Sequence, residues 1–263
     1  MSKVEVLVAC MKQSGDELYT QMNLQTDAIL ANQTDVFNYV EYPQENGCVA
    51  KLISTHDRGV GKNRNKALMF ATGEYLLCAD EDMIYEDDYE EKVLEAFKEK
   101  PDADVMVFNL TYLNRFTPGR KAGESFKRVR FWNSMRYGAT RIAIRRNALE
   151  KANLTFSTLY GGGARYSSGE DSLFIREALR KGLKMYYCPV TIAKVKQEES
   201  SWFKGYNDKL FIDKGILIAN AFPFLKHILI YYFAYGMRNV SKDYDFLKIC
   251  KLMRQGIKEF ENL

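Results

Sequence analysis

The chain has 263 residues, 46% hydrophobic and 27% charged, which excludes a disordered polymer and allows one large α/β domain with a buried core. Its net charge of +4 is uneven: between Arg120 and Arg146 nine basic residues face one acid, Glu124, a local +8 that leaves −4 for the rest. The five cysteines (Cys10, Cys48, Cys78, Cys188, Cys250) are scattered and form no C-x-x-C pair, which argues against a zinc or disulfide framework and for reduced, mostly buried thiols.

In chain order, Val4–Cys10 is a short apolar, β-branched run of the kind that forms a buried parallel strand. A helix is predicted over Gly15–Gln25, then strands at Asp27–Asn32 and Lys51–Thr55. Gly61–Thr72 has helical spacing, with Ala67, Leu68 and Ala71 on one face and Gly73 as its stop. Glu74–Ala79 is a fourth strand running into Asp80. Asp88–Lys100 is a helix ended by Pro101, and Asp104–Leu110 is the next strand. Strand and helix thus alternate through the first 110 residues, as in an open, mostly parallel α/β sheet. Such sheets bind ligands at the carboxyl ends of their strands, so the segments after Cys10, Asn32, Thr55 and Ala79 are expected to converge. The second half is less regular: strand-like pieces including Ala139–Arg145, a loop at Tyr160–Gly169, a helix over Glu170–Lys181, a strand over Met185–Val195, then helices to the end. One domain over residues 1–212 with a helical extension over 213–263 is the simplest organisation.

The segment Asp80-Glu81-Asp82 carries the strongest chemical signal. Three carboxylates directly after a buried strand repel one another, and partial burial makes that worse unless a cation compensates. Mg²⁺ and Mn²⁺ take oxygen ligands, usually one or two carboxylates together with substrate phosphates. An isolated D-x-D is more often an exposed acidic turn; its place after the fourth strand favours metal binding. Glu170-Asp171 opens a helix, where acids also serve as plain dipole partners. Gly161-Gly162-Gly163 gives a flexible loop just before it.

Taken together, these residues resemble the family 2 glycosyltransferases of the GT-A fold. The resemblance is carried by R-G-x-x-x-x-R-N-x-A-L at Arg58–Leu68, A-T-G-E-Y at Ala71–Tyr75 and D-E-D at Asp80–Asp82, then by Gly169-Glu170-Asp171 and by Ser200-Ser201-Trp202-Phe203-Lys204-Gly205-Tyr206, similar to a C-terminal motif of a bacterial polysaccharide subgroup. It covers roughly residues 3–215. It implies a nucleotide-diphospho-sugar transferase fold and metal-dependent, inverting transfer of a hexose-type sugar, most often from a UDP-sugar, to a hydroxyl acceptor such as a glycan or lipid-linked saccharide in cell-surface polysaccharide synthesis. Asp80 and Asp82 would hold Mn²⁺ or Mg²⁺. Cys10, Asn32, Arg58, Lys62, Arg64, Asp80 and Glu81 would lie on the nucleotide side. Asp171 would be the base, with Glu170 as its partner, and Gly162, Gly163 and Trp202 would border the acceptor. Many relatives carry a histidine in the C-terminal loop. Here that loop reads Lys194-Val195-Lys196-Gln197-Glu198-Glu199, so Lys196 or Gln197 would take its place, or fewer protein groups would hold the metal. His56 and His227 read as surface or packing residues.

Two alternatives remain. A sugar nucleotidylyltransferase would carry a Gly- and Arg-rich loop after strand one, where Met11–Asp16 does not fit. A nucleic-acid or anionic-surface binder could use the basic strip with Phe126, Phe131, Trp132 and Tyr137, but has no need of the acidic turn, so no nucleic acid is expected. The apolar window Gly215–Gly236, broken by Pro223, Lys226 and His227, reads as a docked or interfacial helix rather than a membrane span. The aromatic, basic tail is equally compatible with a membrane surface, a homodimer interface or intramolecular packing. No signal-peptide pattern precedes the first strand, so a cytoplasmic protein is expected, with contact at the inner membrane face left open.

Overall fold

The computed structural model describes residues 3–113, 123–196, 205–240 and 242–262. Its contacts divide the chain into two units, residues 1–158 with 170–199, and residues 159–169 with 200–263.

The first unit is built on one ten-stranded sheet. Its strands are β1 (Val4–Met11), β2 (Asp27–Gln33), β3 (Asn38–Pro43), β4 (Val49–Thr55), β5 (Tyr75–Asp80), β6 (Met83–Tyr85), β7 (Val105–Tyr112), β8 (Lys127–Arg128), β9 (Ile142–Arg145) and β10 (Met185–Val195). The helices are α1 (Glu17–Gln21), α2 (Val60–Phe70), α3 (Tyr89–Glu99), α4 (Arg146–Lys151) and α5 (Glu170–Arg180). The order across the sheet is β3-β4-β2-β1-β5-β9-β7-β10-β6, with β8 on β10. β4, β2, β1 and β5 run parallel; β3, β9 and β6 are antiparallel to their neighbours.

The apolar runs have a direct physical cause. Strand side chains alternate between faces, and both faces of this sheet are covered, so a strand must be apolar at nearly every position. On β1, Val4, Val6, Val8 and Cys10 enter one core with Leu30, Tyr89, Val93 and Phe97. Leu7 faces the other way, into a core with Ile29, Ile53, Ala67, Ile144, Phe156 and Phe174. Glu5 lies on that second face, fully buried, and its carboxylate accepts from the backbone N–H of Thr72 (2.6 Å) and Gly73 (2.8 Å). The A-T-G-E-Y stretch is therefore the turn that closes α2 onto β5.

Three elements escaped the sequence reading. β3 pairs antiparallel with β4 as the sheet edge; its pattern is exposed and half-buried, with Pro43 at its end, so it lacks a buried strand's apolar run. β6 is only three residues long, and α4 follows β9 without a break. The predicted helix over Gly15–Gln25 shortens to Glu17–Gln21, because Asn23 turns left-handed at φ 54°.

The second unit comprises the loop 159–169 and three helices, α6 (Asp208–Ala221), α7 (Lys226–Met237) and α8 (Phe246–Glu261). Their core holds Phe211, Ile218, Ile230, Ala234, Ile249, Met253 and Ile257. α6 and α8 cross with backbones in contact: a methyl added at Gly215 would sit 2.1 Å from the Met253 carbonyl oxygen, and one at Gly256 2.1 Å from that of Ile212. The loop is tied to α6 by buried Asp213, which accepts from Ser167 N (2.8 Å) and Lys209 Nζ (2.6 Å). Among the described residues no helix is long and apolar enough to cross a membrane.

Candidate active site

The parallel strands end on one edge of the sheet. In register, Cys10 stands beside Asn32 and Ala9 beside Asp80. The expected convergence of strand ends is thus present, and three loops and a helix are pinned there.

Asn32 is fully buried. Its Oδ1 accepts from Gln13 N (3.0 Å), and its Nδ2 donates to Gln13 O (2.8 Å) and Ser54 Oγ (2.9 Å). It braces the loop after β1 rather than facing outward. Cys10 is likewise in the core, its thiol donating to Ala31 O (3.3 Å); burial, then the nearby Glu81 charge, pushes its pKa well up. Both were expected to flank a nucleoside. Both stand one residue before the end of a strand covered on both faces, where a side chain is directed into a core.

Glu81 turns back onto that loop. Its Oε2 accepts from Met11 N (3.2 Å) and Gln13 Nε2 (3.0 Å). Burial raises its pKa, against the lowering by those two bonds. Gln13 was not singled out from the sequence; its only signal was a polar side chain just past a strand end. Asn63, also overlooked, donates from Nδ2 to Ala31 O (2.7 Å) and Cys10 O (3.2 Å), fastening α2 to the ends of β1 and β2.

Arg64 is the centre of the arrangement. It lies on the buried face of α2, with its Cζ 5.4 Å from the Phe156 ring centroid, and Phe156 stacks on Phe174 of α5. From there Nη2 donates to Asp80 Oδ1 (3.0 Å), and Nη1 to Glu170 Oε1 (3.2 Å) and Asp171 Oδ1 (2.5 Å). The resemblance places Arg64 on the nucleotide side; in the structure Asp80 of β5 and Glu170 and Asp171 of α5 hold its two terminal nitrogens. Burial alone would lower its pKa, but Asp171, Asp80 and Glu170 outweigh that and hold it well above the ordinary value. The same burial, followed by repulsion from Asp171, raises Glu170, against the pull of Arg64. α2 can come this close because residue 61 is glycine: a methyl there would lie 2.1 Å from the Ser157 carbonyl oxygen.

Arg58 and Lys62 belong to the outer rim. Arg58 Nη1 donates to Thr34 O and His56 O, each at 2.9 Å, and its Nη2 pairs with Asp35, so it joins the loops after β2 and β4. Lys62 is exposed, 4.0 Å from Asp57. His56 and His227 are both exposed. Gly162 and Gly163 belong to the second unit, in a tight loop closed by the Tyr160–Tyr166 bridge. Trp202 and Gln197 lie outside the described residues, as do Arg120 and Lys121 of the basic strip. A further part of that strip borders the acid pair: Ser134–Arg136 packs on α5, and a methyl at Gly138 would lie 3.3 Å from Asp171 Oδ2.

Two carboxylates at one strand end match the demand of Mg²⁺ or Mn²⁺, which complete their coordination with water and substrate phosphate. Asp80 keeps 40% of its side-chain surface exposed although Arg64 holds one oxygen, and Asp82 is half-buried. No group of three or more His, Cys, Asp and Glu gathers as a full metal cage among the described residues. The Asp82 carbonyl accepts from Lys196 N (2.9 Å), next to the pairing of Val195 with Met83, so the loop lacking the histidine does start at the acidic turn. A shallow hollow of about 190 Å³ lined by Thr72, Glu74, Arg145, Arg146 and Asn147 lies instead at the opposite end of β5, where no such constellation exists.

Residues 35–153 match the family model described as Glycosyl transferase family 2. Among solved structures, S. aureus TarS 1–349 in complex with UDP-GlcNAc is similar at 17% identity and a TM-score of 0.67, over 98% of this chain and 80% of that one. The same protein in complex with UDP is similar at 15% identity and a TM-score of 0.62, over 99% and 91%. A longer S. aureus TarS structure is covered to 44% of its length, at 17% identity over 92% of this chain, with a TM-score of 0.62. No curated protein matches. The structural likenesses show the GT-A fold, and the stretch matched by the family model takes in Arg58–Leu68, Ala71–Tyr75 and Asp80–Asp82, the motifs that carry the resemblance.

Proposed function

We propose that this chain is a family 2 glycosyltransferase that performs metal-dependent, inverting transfer of a sugar from a UDP-sugar to a hydroxyl of a glycan or lipid-linked acceptor, in cell-surface polysaccharide synthesis. The observation that carries the reading is the Arg64 clasp, which holds the acidic turn of β5 and the acid pair of α5 on one guanidinium.

Asp80 and Asp82 are the residues that would hold Mn²⁺ or Mg²⁺, which when bound offsets the charge growing on the leaving diphosphate. The protein's own groups do the rest. Inverting transfer needs a base for the acceptor hydroxyl. Asp171 fits that role: Arg64 fixes its Oδ1, the Gly138 turn borders its Oδ2, and 28% of its side chain is exposed. Burial and the neighbouring Asp171 charge raise the pKa of Glu170 beside it to about 7, against the pull of Arg64. Gln13 and Glu81 stiffen the loop at the nucleotide side, and Lys196, whose backbone N–H bonds the Asp82 carbonyl, stands at the acidic turn to contact the leaving diphosphate in place of the histidine. The nucleotide is taken as UDP because the family favours it and because the similar TarS structures are complexes with UDP-GlcNAc and UDP.

The test is calorimetric titration of the protein with UDP, in Mn²⁺ and in chelator, for wild type and Asp82→Ala. Binding in Mn²⁺ that weakens sharply in chelator and in the variant is expected, and UDP-GlcNAc is the first donor to screen for transfer. If neither UDP nor any other nucleoside diphosphate binds in either condition, the donor site is wrongly placed.

A further inference from the structure

We infer that α7 of the second unit is a docking face for a membrane surface rich in anionic lipid. The inference stands on that unit alone and does not rest on the donor-site assignment.

A helix packed on a globular unit normally shows one apolar and one polar face. α7 does not. Its inner face, with Ile230 and Ala234, is buried. Its outer face presents Ile228 (69% exposed), Tyr231, Tyr232 (74%) and Tyr235 (60%), continuing the stripe begun by Phe224 (96%) and Leu225. Positions 224, 228, 231, 232 and 235 recur at helical spacing, so they form one ridge. From Lys226 to Met237 the helix contains no Asp, Glu, Ser, Thr, Asn or Gln. At 12 residues it is too short to span a bilayer, and its length and tyrosines suit a helix lying in the interface, where ring bodies meet acyl chains and hydroxyls meet water.

The charge around the ridge selects the occupant. The second unit carries eleven Lys and Arg against six Asp and Glu, a net +5 in a chain whose total is +4. Arg254 flanks the ridge, hydrogen-bonded to the Tyr231 hydroxyl, and Arg238 sits over the Tyr235 ring (3.8 Å). At the far end of α7, Arg238 and Lys242 line a shallow pocket of about 330 Å³ with Asn239, Tyr244 and Asp245, open enough for a lipid phosphate. Asp245 is occupied as the N-cap of α8, accepting from Lys248 N (2.7 Å). A second copy of the chain docking here about a two-fold axis would bring one net-basic face against another, whereas an anionic bilayer complements it.

The experiment is co-sedimentation of the full chain, at low salt, with phosphatidylcholine vesicles and with vesicles containing about one third phosphatidylglycerol. Binding to the anionic vesicles and little to the neutral ones is expected. The doubly substituted Arg238→Gln, Lys242→Gln protein should weaken about fivefold per charge removed. The Ile228→Ser, Tyr232→Ser protein, changed only at exposed positions, should lose binding while keeping the wild-type circular dichroism and melting temperature. Equal binding of wild type to both vesicles, or to neither, overturns the inference. So does a wild-type dimer in sedimentation velocity that becomes a monomer in Ile228→Ser, Tyr232→Ser, which would assign the face to a second copy.

Discussion

Replacing Arg64 by methionine keeps most of the side chain's length and its contact with Phe156, and removes the guanidinium that three carboxylates share. The three contacts are unequal. Asp80 is 40% exposed, so water screens it and its share of the loss is small. Glu170 and Asp171 are less exposed and lie 3.2 and 2.5 Å from Nη1. Removing one member of a buried ion-paired group typically costs about 3–5 kcal/mol, because the remaining charges lose their compensation. Glu170 is already driven toward the neutral acid and can relieve part of this by holding its proton, so about 3 kcal/mol is expected near neutral pH. The loss must also depend on pH. Without Arg64 the one influence that lowers the Glu170 pKa against burial and the Asp171 charge is weakened, so its folded pKa rises further, and a carboxyl whose folded pKa is raised stabilises the fold only while protonated. The destabilisation of the Arg64→Met protein should therefore be small near pH 5 and grow toward pH 8. Urea unfolding of both proteins across that range measures it. A loss below about 1 kcal/mol at pH 8, or an equal loss at pH 5 and pH 8, would refute the clasp as the source of the coupling. Arg64→Lys should recover only part of the difference, since one ammonium cannot reproduce a fork directed at two structural elements.

Further predictions rest on neighbouring contacts. Glu170, raised to about 7, should favour the fold at low pH and lose that contribution as pH climbs through about 7, so Glu170→Gln should flatten the fall in urea midpoint between pH 5 and pH 8 seen in wild type. Gly61→Ala places a methyl 2.1 Å from the Ser157 oxygen and should cost about 1–3 kcal/mol, measured by thermal unfolding; an unchanged midpoint would mean that α2 and residues 157–158 do not meet as described. Glu5→Ala leaves the Thr72 and Gly73 amides without their acceptor and should cost about 1–3 kcal/mol, whereas a change under about 0.5 kcal/mol would show that water replaces the carboxylate. Glu81→Ala should weaken UDP binding by loosening the Gln13 loop while leaving its dependence on Mn²⁺ intact, in contrast to Asp82→Ala; loss of the metal effect in Glu81→Ala would make Glu81 a ligand rather than a brace.

What could be read from the sequence, and what could not, divides along a physical line. β1, β2, β4, β5, β7 and β10 were legible because a strand covered on both faces must be apolar throughout, a signal strong enough to survive without an alignment. β3 and β6 carry no such signal: one is a half-exposed edge, the other three residues fixed by pairing with β10, a partner about a hundred positions away. The site follows the same division. The acidic turn and the acid pair could be found as local clusters of like charge, which a fold tolerates only for a reason. The residue that joins them could not be assigned its partners, since Arg64 lies 16 positions from Asp80 and over a hundred from Glu170 and Asp171, and a basic side chain near a helix start looks the same whether it faces phosphate or carboxylate.

That ambiguity bears on how the motif is to be understood. Within Arg58–Leu68, three residues of the R-G-x-x-x-x-R-N-x-A-L pattern and two at its open positions have a steric or hydrogen-bonding task within the protein. Arg58 joins two loops, Gly61 admits the 157–158 segment, Asn63 fastens α2 to β1 and β2, Arg64 clasps three acids, and Asn65 exchanges hydrogen bonds with the Phe156 backbone (2.8 and 2.7 Å). Only Lys62 in that run extends into solvent with no partner closer than 4.0 Å. The motif is thus first a device for holding α2 against the sheet edge at a fixed height, and the chemistry follows from the height. Any shift of α2 would move Arg64 relative to Asp80 on β5 and to Glu170 and Asp171 on α5, the three acids that it joins.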